Sequence, residues 1–433
     1  MSMQLAGKNI AVIGLGQTGL SAIAFLKAHH ANVSAFDTRA GYQAVVPAGV
    51  VVRTGELDAG LLTQADMIVL SPGVALSTPA IAAAKNAGVP VLGDVEIFAQ
   101  FNHVPVLAIT GSNGKSTVTM LVAHMLEKAG KRVLTGGNIG VPVLDLLGKP
   151  ADCIVLELSS FQLETTYSLQ KLAATVLNVS DDHMDRYAGF DDYRDTKRSI
   201  YNLSQHCIVN RDDPATDCAQ AENSLSFGLS ASKTGFGFDQ ATNTILLEGK
   251  PWLEMQKASL AGMHNVLNIQ AAAALASCTG AEHFALQAAC TDFNGLPHRC
   301  ERVSDKFGAQ WINDSKATNV GATIAAIEGL RPQVAARLIL IAGGDGKGAD
   351  FTPLKSVFSS VDRLITLGRD GDKIAACYAN PEPVSSLEQA VQLAAKDIQP
   401  GDMVLLSPAC ASLDMFKNYA ERGQRFALAV EAL

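Results

Sequence analysis

Three glycine-rich loops in this chain have the spacing that holds phosphate. The first, Gly14-Leu15-Gly16-Gln17-Thr18-Gly19, follows an apolar run, and Asp37 closes the next apolar run. The glycines permit a tight turn, and the N–H groups opening the next helix can receive a phosphate. Read alone, this fingerprint points to a dinucleotide and a dehydrogenase, with Asp37 on the ribose. Thr38 and Arg39 follow directly and place a cation there, which suits a different nucleotide phosphate equally well. The second loop, Thr110-Gly111-Ser112-Asn113-Gly114-Lys115-Ser116-Thr117, has the parts of a Walker A loop, although Ile109 stands where the longer form has glycine. Gly111 and Gly114 let the backbone wrap a phosphate, Lys115 brings charge to the β/γ-phosphates, and Ser116 or Thr117 can ligate magnesium. The third, Gly343-Gly344-Asp345-Gly346-Lys347, reads equally as a surface turn. A triphosphate loop beside a dinucleotide-type loop is odd for a dehydrogenase. It fits an enzyme that spends ATP on a nucleotide-linked substrate.

Acids and a histidine stand where a phosphate loop needs them. Glu157 ends the apolar run 153–157, in position to hold magnesium or its water. Asp181-Asp182-His183-Met184-Asp185-Arg186 follows another such run, at a strand end where open α/β sheets bind ligands. His183 is a candidate metal ligand there. Lys197 and Arg198, on the next helical stretch, read by themselves as a solvated face. No HExxH, GxSxG or Cys–His arrangement supports a hydrolase.

The elements that position these loops alternate between strand and helix, implying mostly parallel sheets covered by helices. Strands are expected at 9–13, 33–36 and 66–70, then at 104–109, 133–135, 153–158, 174–179 and 207–210. Pieces between 224 and 256 suggest an antiparallel edge, and further strands are expected at 311–313, 338–342, 363–367 and 403–407. Val118, Leu121, Val122 and Met125 mark the buried face of the helix after the second loop, with Gly130 closing it. A chain of 433 residues with 48% hydrophobic and 18% charged residues builds several cores without a covalent staple, which excludes a disordered or fibrous chain. The net charge of −8 argues against a broad nucleic-acid or membrane surface. The cysteines at 153, 207, 218, 278, 290, 300, 377 and 410 form no CxxC, so they read as reduced thiols of a cytoplasmic protein. No signal peptide or membrane span is expected.

With these residues in view, the chain resembles the Mur ligase family over essentially its whole length. These are ATP-dependent amide ligases of bacterial cell-wall precursor synthesis. The resemblance rests on TGSNGKST at 110–117, Glu157, His183, Gly262-Met263-His264-Asn265 with Asn268, and His298-Arg299. Blocks similar to those of the D-glutamate-adding members are GLGQTG, GGNIG at 136–140, ELSSFQLE at 157–164, DHMDRY at 182–187, GLPHR at 295–299, NDSKATN at 313–319 and SPACASLDMFKNYAERG at 407–423.

The resemblance implies an α/β protein of three domains. These are a Rossmann-like domain at 1–96, a central P-loop domain with a mostly parallel sheet at 97–296, and a second Rossmann-like domain at 297–433. It implies the joining of D-glutamate to UDP-N-acetylmuramoyl-L-alanine through an acyl phosphate and a tetrahedral intermediate, with ATP and two magnesium ions, by a cytoplasmic monomer. Lys115, Glu157, His183 and Lys197 are implied in catalysis. Ser116, Glu157, His183 and Lys197 would hold metal, the lysine if carbamylated. Gly111, Ser112, Asn113, Gly114, Lys115, Ser116, Thr117, Asn268, Arg299 and Asp314 would surround ATP. Gln17, Thr18, Asp37, Thr38, Arg39, Ser71 and Gly73 match contacts to UDP, which displaces the dehydrogenase reading, while Asn138 and Gln162 match contacts further along that substrate. Lys316, Thr318, Lys347, Ser412 and Tyr419 match the D-glutamate site, with Tyr419 standing where many relatives carry Phe. A dicarboxylate calls for such cations and hydroxyls. Because the loops fall on separate domains, closure of the third over the second is expected.

Overall fold

Residues 3–218, 224–260, 262–293 and 295–433 are described by the structure, a computed structural model. Its first sheet contains β1 (Asn9–Ile13), β2 (Asn32–Asp37), β3 (Val51–Thr54), β4 (Met67–Leu70) and β5 (Val91–Leu92), all parallel, in the order β3-β2-β1-β4-β5. Strand order reverses at β1, so the crevice at its carboxyl end, where Gly14–Gly19 lies, is the ligand-binding edge of such a sheet. The second sheet contains β6 (Val106–Thr110), β7 (Val133–Gly137), β8 (Cys153–Glu157), β9 (Lys171–Val176), β10 (Ser204–Asn210) and β11 (Ser224–Phe227), again all parallel, in the order β11-β10-β9-β6-β8-β7. Here β6 lies between β9 and β8, and the 111–114 loop leaves its carboxyl end.

The expected antiparallel edge takes a different form. Ser224–Phe227 joins the parallel sheet, while β12 (Phe236–Asp239), β13 (Thr244–Leu247) and β14 (Lys250–Glu254) make a separate antiparallel meander. The last sheet contains β15 (Glu301–Ser304), β16 (Gln310–Asn313), β17 (Leu338–Gly343), β18 (Arg363–Leu367), β19 (Pro381–Pro383) and β20 (Met403–Leu406) in the order β15-β16-β20-β17-β18-β19, with only β15 antiparallel. Edge strands β3, β5, β15 and β19 lie outside the expected set. They are short, β3 is mostly exposed, and β15 and β19 are mostly half-buried, so no buried apolar run marks them.

One expected strand is displaced with consequence. The ladder of β9 ends at Val176, three residues before the expected end. Beyond it Asn178 turns to the phosphate loop: its carbonyl accepts from the Ser112 N–H (2.9 Å), its side-chain oxygen accepts from the Asn113 N–H (2.8 Å), and its amide donates to the Asn113 carbonyl (3.1 Å). Polar pairing to a loop has replaced the sheet ladder.

The cores divide the molecule unequally. One apolar cluster runs from Ile10, Val12 and Val69 of the first sheet through Val95 and Phe98 to Ala108, Ile154 and Leu156 of the second. The last sheet has its own clusters on both faces, around Leu340 and Ile341, sharing no buried residue with the others. The first two regions therefore form one apolar body, and the third meets it through polar contacts. Phe98 is fully buried at that junction. Phe98→Ala is expected to cost about 3–5 kcal/mol. In single-tryptophan variants under urea, the transition reported by Trp252 in the central region should move down, and that reported by Trp311 in the third should stay.

Candidate active site

The 111–114 loop is shaped by backbone that only glycine adopts easily. Gly114 has φ +84 and caps the helix Lys115–Lys128, and a Cβ there would lie 2.6 Å from Asn268 Oδ1. The Lys115 ammonium folds back to donate to the carbonyls of Gly111 (2.8 Å) and Ser112 (2.9 Å), holding a cation over the loop. Burial lowers its pKa from the ordinary lysine value, against the pull of Glu157 and Asp182.

Two cavities meet at this loop. One, of about 340 Å³, is lined by Asn113, Gly114, Thr117, Asn268, Arg299 and Asp314, among others. Most of the residues expected around ATP thus share one space. Arg299 donates to Ser116 Oγ at 2.6 Å, linking the third region to the loop. Asp314 accepts from Ser407 Oγ (2.9 Å) and the Cys300 N–H (3.2 Å), and burial pushes its carboxyl up to about 7.

The second cavity, of about 400 Å³, collects the expected catalytic and D-glutamate groups. Lys115, Glu157, His183 and Lys197 line one side together with Asn138, and Lys316, Thr318, Lys347, Ser412 and Tyr419 line the other. The Lys197 ammonium is buried, donates to the Gly111 carbonyl (2.9 Å) and lies 4.6 Å from the Tyr193 ring centroid. Burial, reinforced by Lys115, holds its pKa well below the lysine range. Lys316 lies 4.1 Å from the Tyr419 ring centroid, and burial with Arg299 and Lys115 nearby brings it down to about 8. Burial draws the His183 imidazole down to about 4, so it is neutral near pH 7. Gln162 does not line this cavity: it is buried, and its side chain closes a capping box with Ser159.

Among the described residues no three His, Cys, Asp or Glu side chains cluster as a ready-made metal cage. Magnesium does not require one, since it commonly uses one or two carboxylates, water and substrate phosphates. Glu157 fits that pattern. Its Oε1 accepts from Asn138 (2.7 Å), while its buried Oε2 has no protein hydrogen-bond partner.

Asp182 was outside the expected set and links the halves of this cavity. It pairs with Lys347, accepts from Asn319 Nδ2 (3.3 Å), and lies 3.8 Å from His183 Nε2. Burial alone would raise its pKa, but Lys347 and His183 outweigh that and hold it below the usual carboxylate value. Asn319 also donates to Asn113 Oδ1 at 3.1 Å. With Arg299, these contacts set the third region directly against the phosphate loop. His183 (φ +58) and Lys347 (φ +54) both hold left-handed backbone, a strain found in positioned loops.

The residues expected at UDP lie elsewhere, at the carboxyl ends of β1, β2 and β4, and line neither cavity. Asp37 accepts from the Leu15 N–H (2.8 Å) and from Arg39 Nε and Nη2 (2.8 Å each), and the Arg39 hydrogen bonds bring its carboxyl down to about 2. Both oxygens are engaged within the loop, so the carboxylate is spent on shaping it, in contrast to the dinucleotide pattern. Ser71 Oγ donates to the Gly14 carbonyl at 2.7 Å. Gln17 and Thr18 open the helix Gln17–Ala28, Thr38 follows β2, and Gly73 follows β4. Arg186 bridges the first region to the cavity: it donates to the Pro72 carbonyl (2.7 Å), pairs with Glu164 (2.8 Å) and covers the Phe161 ring at 3.9 Å.

Three family models match in order along the chain: the Mur ligase MurD-like N-terminal domain at 8–93, the Mur ligase middle domain at 109–276, and the Mur ligase glutamate ligase domain at 298–410. The chain is 47% identical over 428 residues to the UDP-N-acetylmuramoylalanine–D-glutamate ligase of Escherichia coli, covering 97% of each chain. The chain belongs to the Mur ligase family. It is also 44% identical over 430 residues to the enzyme of that name from Pasteurella multocida, covering 98% of each. Among solved Mur ligases, the UDP-N-acetylmuramate–alanine ligase of Thermotoga maritima superposes with TM-score 0.64 at 16% identity, covering 98% of this chain and 99% of that one. MurF of Acinetobacter baumannii gives TM-score 0.64 at 18% identity, over 98% and 93%. These distant likenesses show that the three-part Mur ligase fold is shared.

In this Mur ligase, Gly114→Ala should abolish the binding of a non-hydrolysable ATP analogue through the clash with Asn268 and the left-handed backbone. A calorimetric titration beside an unchanged far-ultraviolet dichroism spectrum would check it.

Proposed function

We propose that this Mur ligase joins D-glutamate to UDP-N-acetylmuramoyl-L-alanine at the expense of ATP. The observation that carries the reading is the convergence on one cavity of the phosphate-loop lysine, Glu157 and His183 with Lys316, Lys347, Thr318 and Ser412 from the last sheet. The near-full-length likeness to D-glutamate ligases supports the choice of amino acid.

A carboxylate is a poor electrophile, so the muramoyl-alanine carboxylate first takes the γ-phosphoryl group of ATP. Both partners are anions, and the barrier is chiefly one of charge repulsion. Lys115 supplies the nearest cation and exchanges its two carbonyl contacts for phosphate oxygens. Arg299, from the third region, adds a second. The adenosine end lies in the cavity of Asn268 and Asp314. The amine of D-glutamate then attacks the acyl phosphate carbon, and the tetrahedral intermediate expels phosphate to leave the amide. Lys316 and Lys347 hold the carboxylates of the attacking amino acid, with Thr318 and Ser412 donating hydroxyl hydrogen bonds. Neutral His183 accepts a hydrogen bond or ligates metal. Ser116, Glu157 and His183, and Lys197 once carbamylated, would hold magnesium at two places, which would supply neutralisation of phosphate charge. The depressed basicity of Lys197 supports carbamylation, since the neutral amine is the form that captures carbon dioxide.

The loops after β1, β2 and β4 hold UDP, and Arg186 keeps them in register with the cavity. The unpaired cysteines support work in the reducing cytoplasm, and the reading takes the active unit as a monomer. No described helix is long and apolar enough to cross a membrane.

Phosphate release should require ATP, the UDP-linked acceptor and D-glutamate together, and oxygen-18 placed in the acceptor carboxyl should appear in the phosphate. Lys115→Ala should lower kcat by about 10²–10³ or more, by analogy with the loss of one preorganised charge donor. Release without D-glutamate, or unlabelled phosphate, would overturn the reading. Lys316, at about 8, loses its charge as pH rises through that value. The KM for D-glutamate should therefore climb above pH 8 while that for the UDP substrate stays flat. Lys316→Ala should show the raised KM at every pH, which steady-state kinetics across the range would check.

A further inference from the structure

The cavity holds an arrangement that the cations alone do not explain. Lys316 and Lys347 suit the two carboxylates of an amino diacid, but that substrate also brings an ammonium group, which they repel. Two carboxylates line the cavity, Glu157 and Asp182. Glu157 lies at the end of β8, tied to Asn138 and assigned above to magnesium. Asp182 faces the third region, where it is paired with Lys347.

We propose that Asp182 is the seat for the ammonium of the incoming amino acid, and that the zwitterion enters by inserting into the Lys347–Asp182 ion pair. Lys347 exchanges the protein carboxylate for a substrate carboxylate, and Asp182 exchanges the protein ammonium for the substrate ammonium. The exchange conserves charge, so neither partly buried group is left unpaired, which would otherwise be costly. A diacid without an amine would take Lys347 and leave Asp182 uncompensated beside a new anion. The ion pair thus selects for an amino group next to a carboxylate. This rests on the reading of the cavity as the D-glutamate site.

The surroundings keep Asp182 in place during the exchange. Asn319 Oδ1 accepts from the Ala322 N–H (2.9 Å) and caps the helix Val320–Leu330, which fixes the amide that donates to Asp182 Oδ2. The seat is therefore anchored without Lys347. Lys347 sits on the 343–347 loop, in left-handed backbone, with its N–H donated to Asp345 Oδ1 at 3.0 Å.

The test compares D-glutamate with glutarate, the same diacid lacking the amine, in the phosphate-release assay at saturating ATP and UDP substrate. For the wild-type chain, the Ki of glutarate should exceed the KM of D-glutamate at least tenfold. In Asp182→Asn the ratio should collapse to within about twofold, because D-glutamate weakens while glutarate does not; the collapse is the loss of one charge-assisted contact. Asp182→Glu should recover most of the discrimination. A wild-type ratio near one overturns the proposal whatever the variants do. So does Asp182→Asn weakening both ligands equally, which is the signature of a merely structural role. If the wild type releases no phosphate in response to D-glutamate, the reading of the site falls and takes this proposal with it; release with an unchanged ratio sinks the proposal alone.

Discussion

Four cations, Lys115, Lys197, Lys316 and Arg299, are withdrawn from water around adjoining cavities, and each is less basic than usual because burial penalises its charge. Such a cluster is costly in a protein interior unless anions compensate it. Glu157 and Asp182 supply part of the compensation. The rest is left to ligands, namely a triphosphate, an acyl phosphate and a dicarboxylate. The electrostatics that make the cation cluster costly are those that draw together two negatively charged reactants, and most other features serve to hold these few side chains at the carboxyl ends of parallel strands.

Parallel sheets do this through their topology. Each reversal of strand order opens a crevice, and the phosphate loops occupy two of them, after β1 and after β6. The first and central regions are fused by a shared apolar core, so the loops after β1, β2 and β4 are held at a fixed separation from the phosphate loop. The third region carries its cations on a separate core. In the reading proposed above, one body measures the substrate and the other delivers the amino acid.

Much of this was legible in the residues. Several core strands read as plain apolar runs, buried except for the first residue of β1 and of β18: β1, β8 and β18 begin where the pattern places them. Lys115, Glu157, His183 and the third-region cations were recognisable from motif and resemblance, and they meet in one cavity. Short edge strands such as β3 and β19 were not legible, because their exposed or half-buried side chains carry no apolar period. The end of β9 was misjudged because Asn178 trades its ladder for hydrogen bonds to a loop distant in sequence, which local pattern does not encode. Asp182 and Asn319 stood inside noted motifs, yet their role depends on which partners face them across two domains. Arg186 was visible only as one charge in DHMDRY, and its grip on the Pro72 carbonyl is a tertiary fact.

The polar seam between the third region and the rest has a consequence for the solvent around it. Of its contacts, the Lys347 to Asp182 ion pair is the kind that dissolved ions screen, and being largely withdrawn from solvent it is screened only in part, whereas the amide contact of Asn319 to Asn113 and the apolar joint of the first two regions carry no net charge to screen. Added salt is therefore expected to loosen the third region's grip on the phosphate loop slightly and to leave the fused body intact.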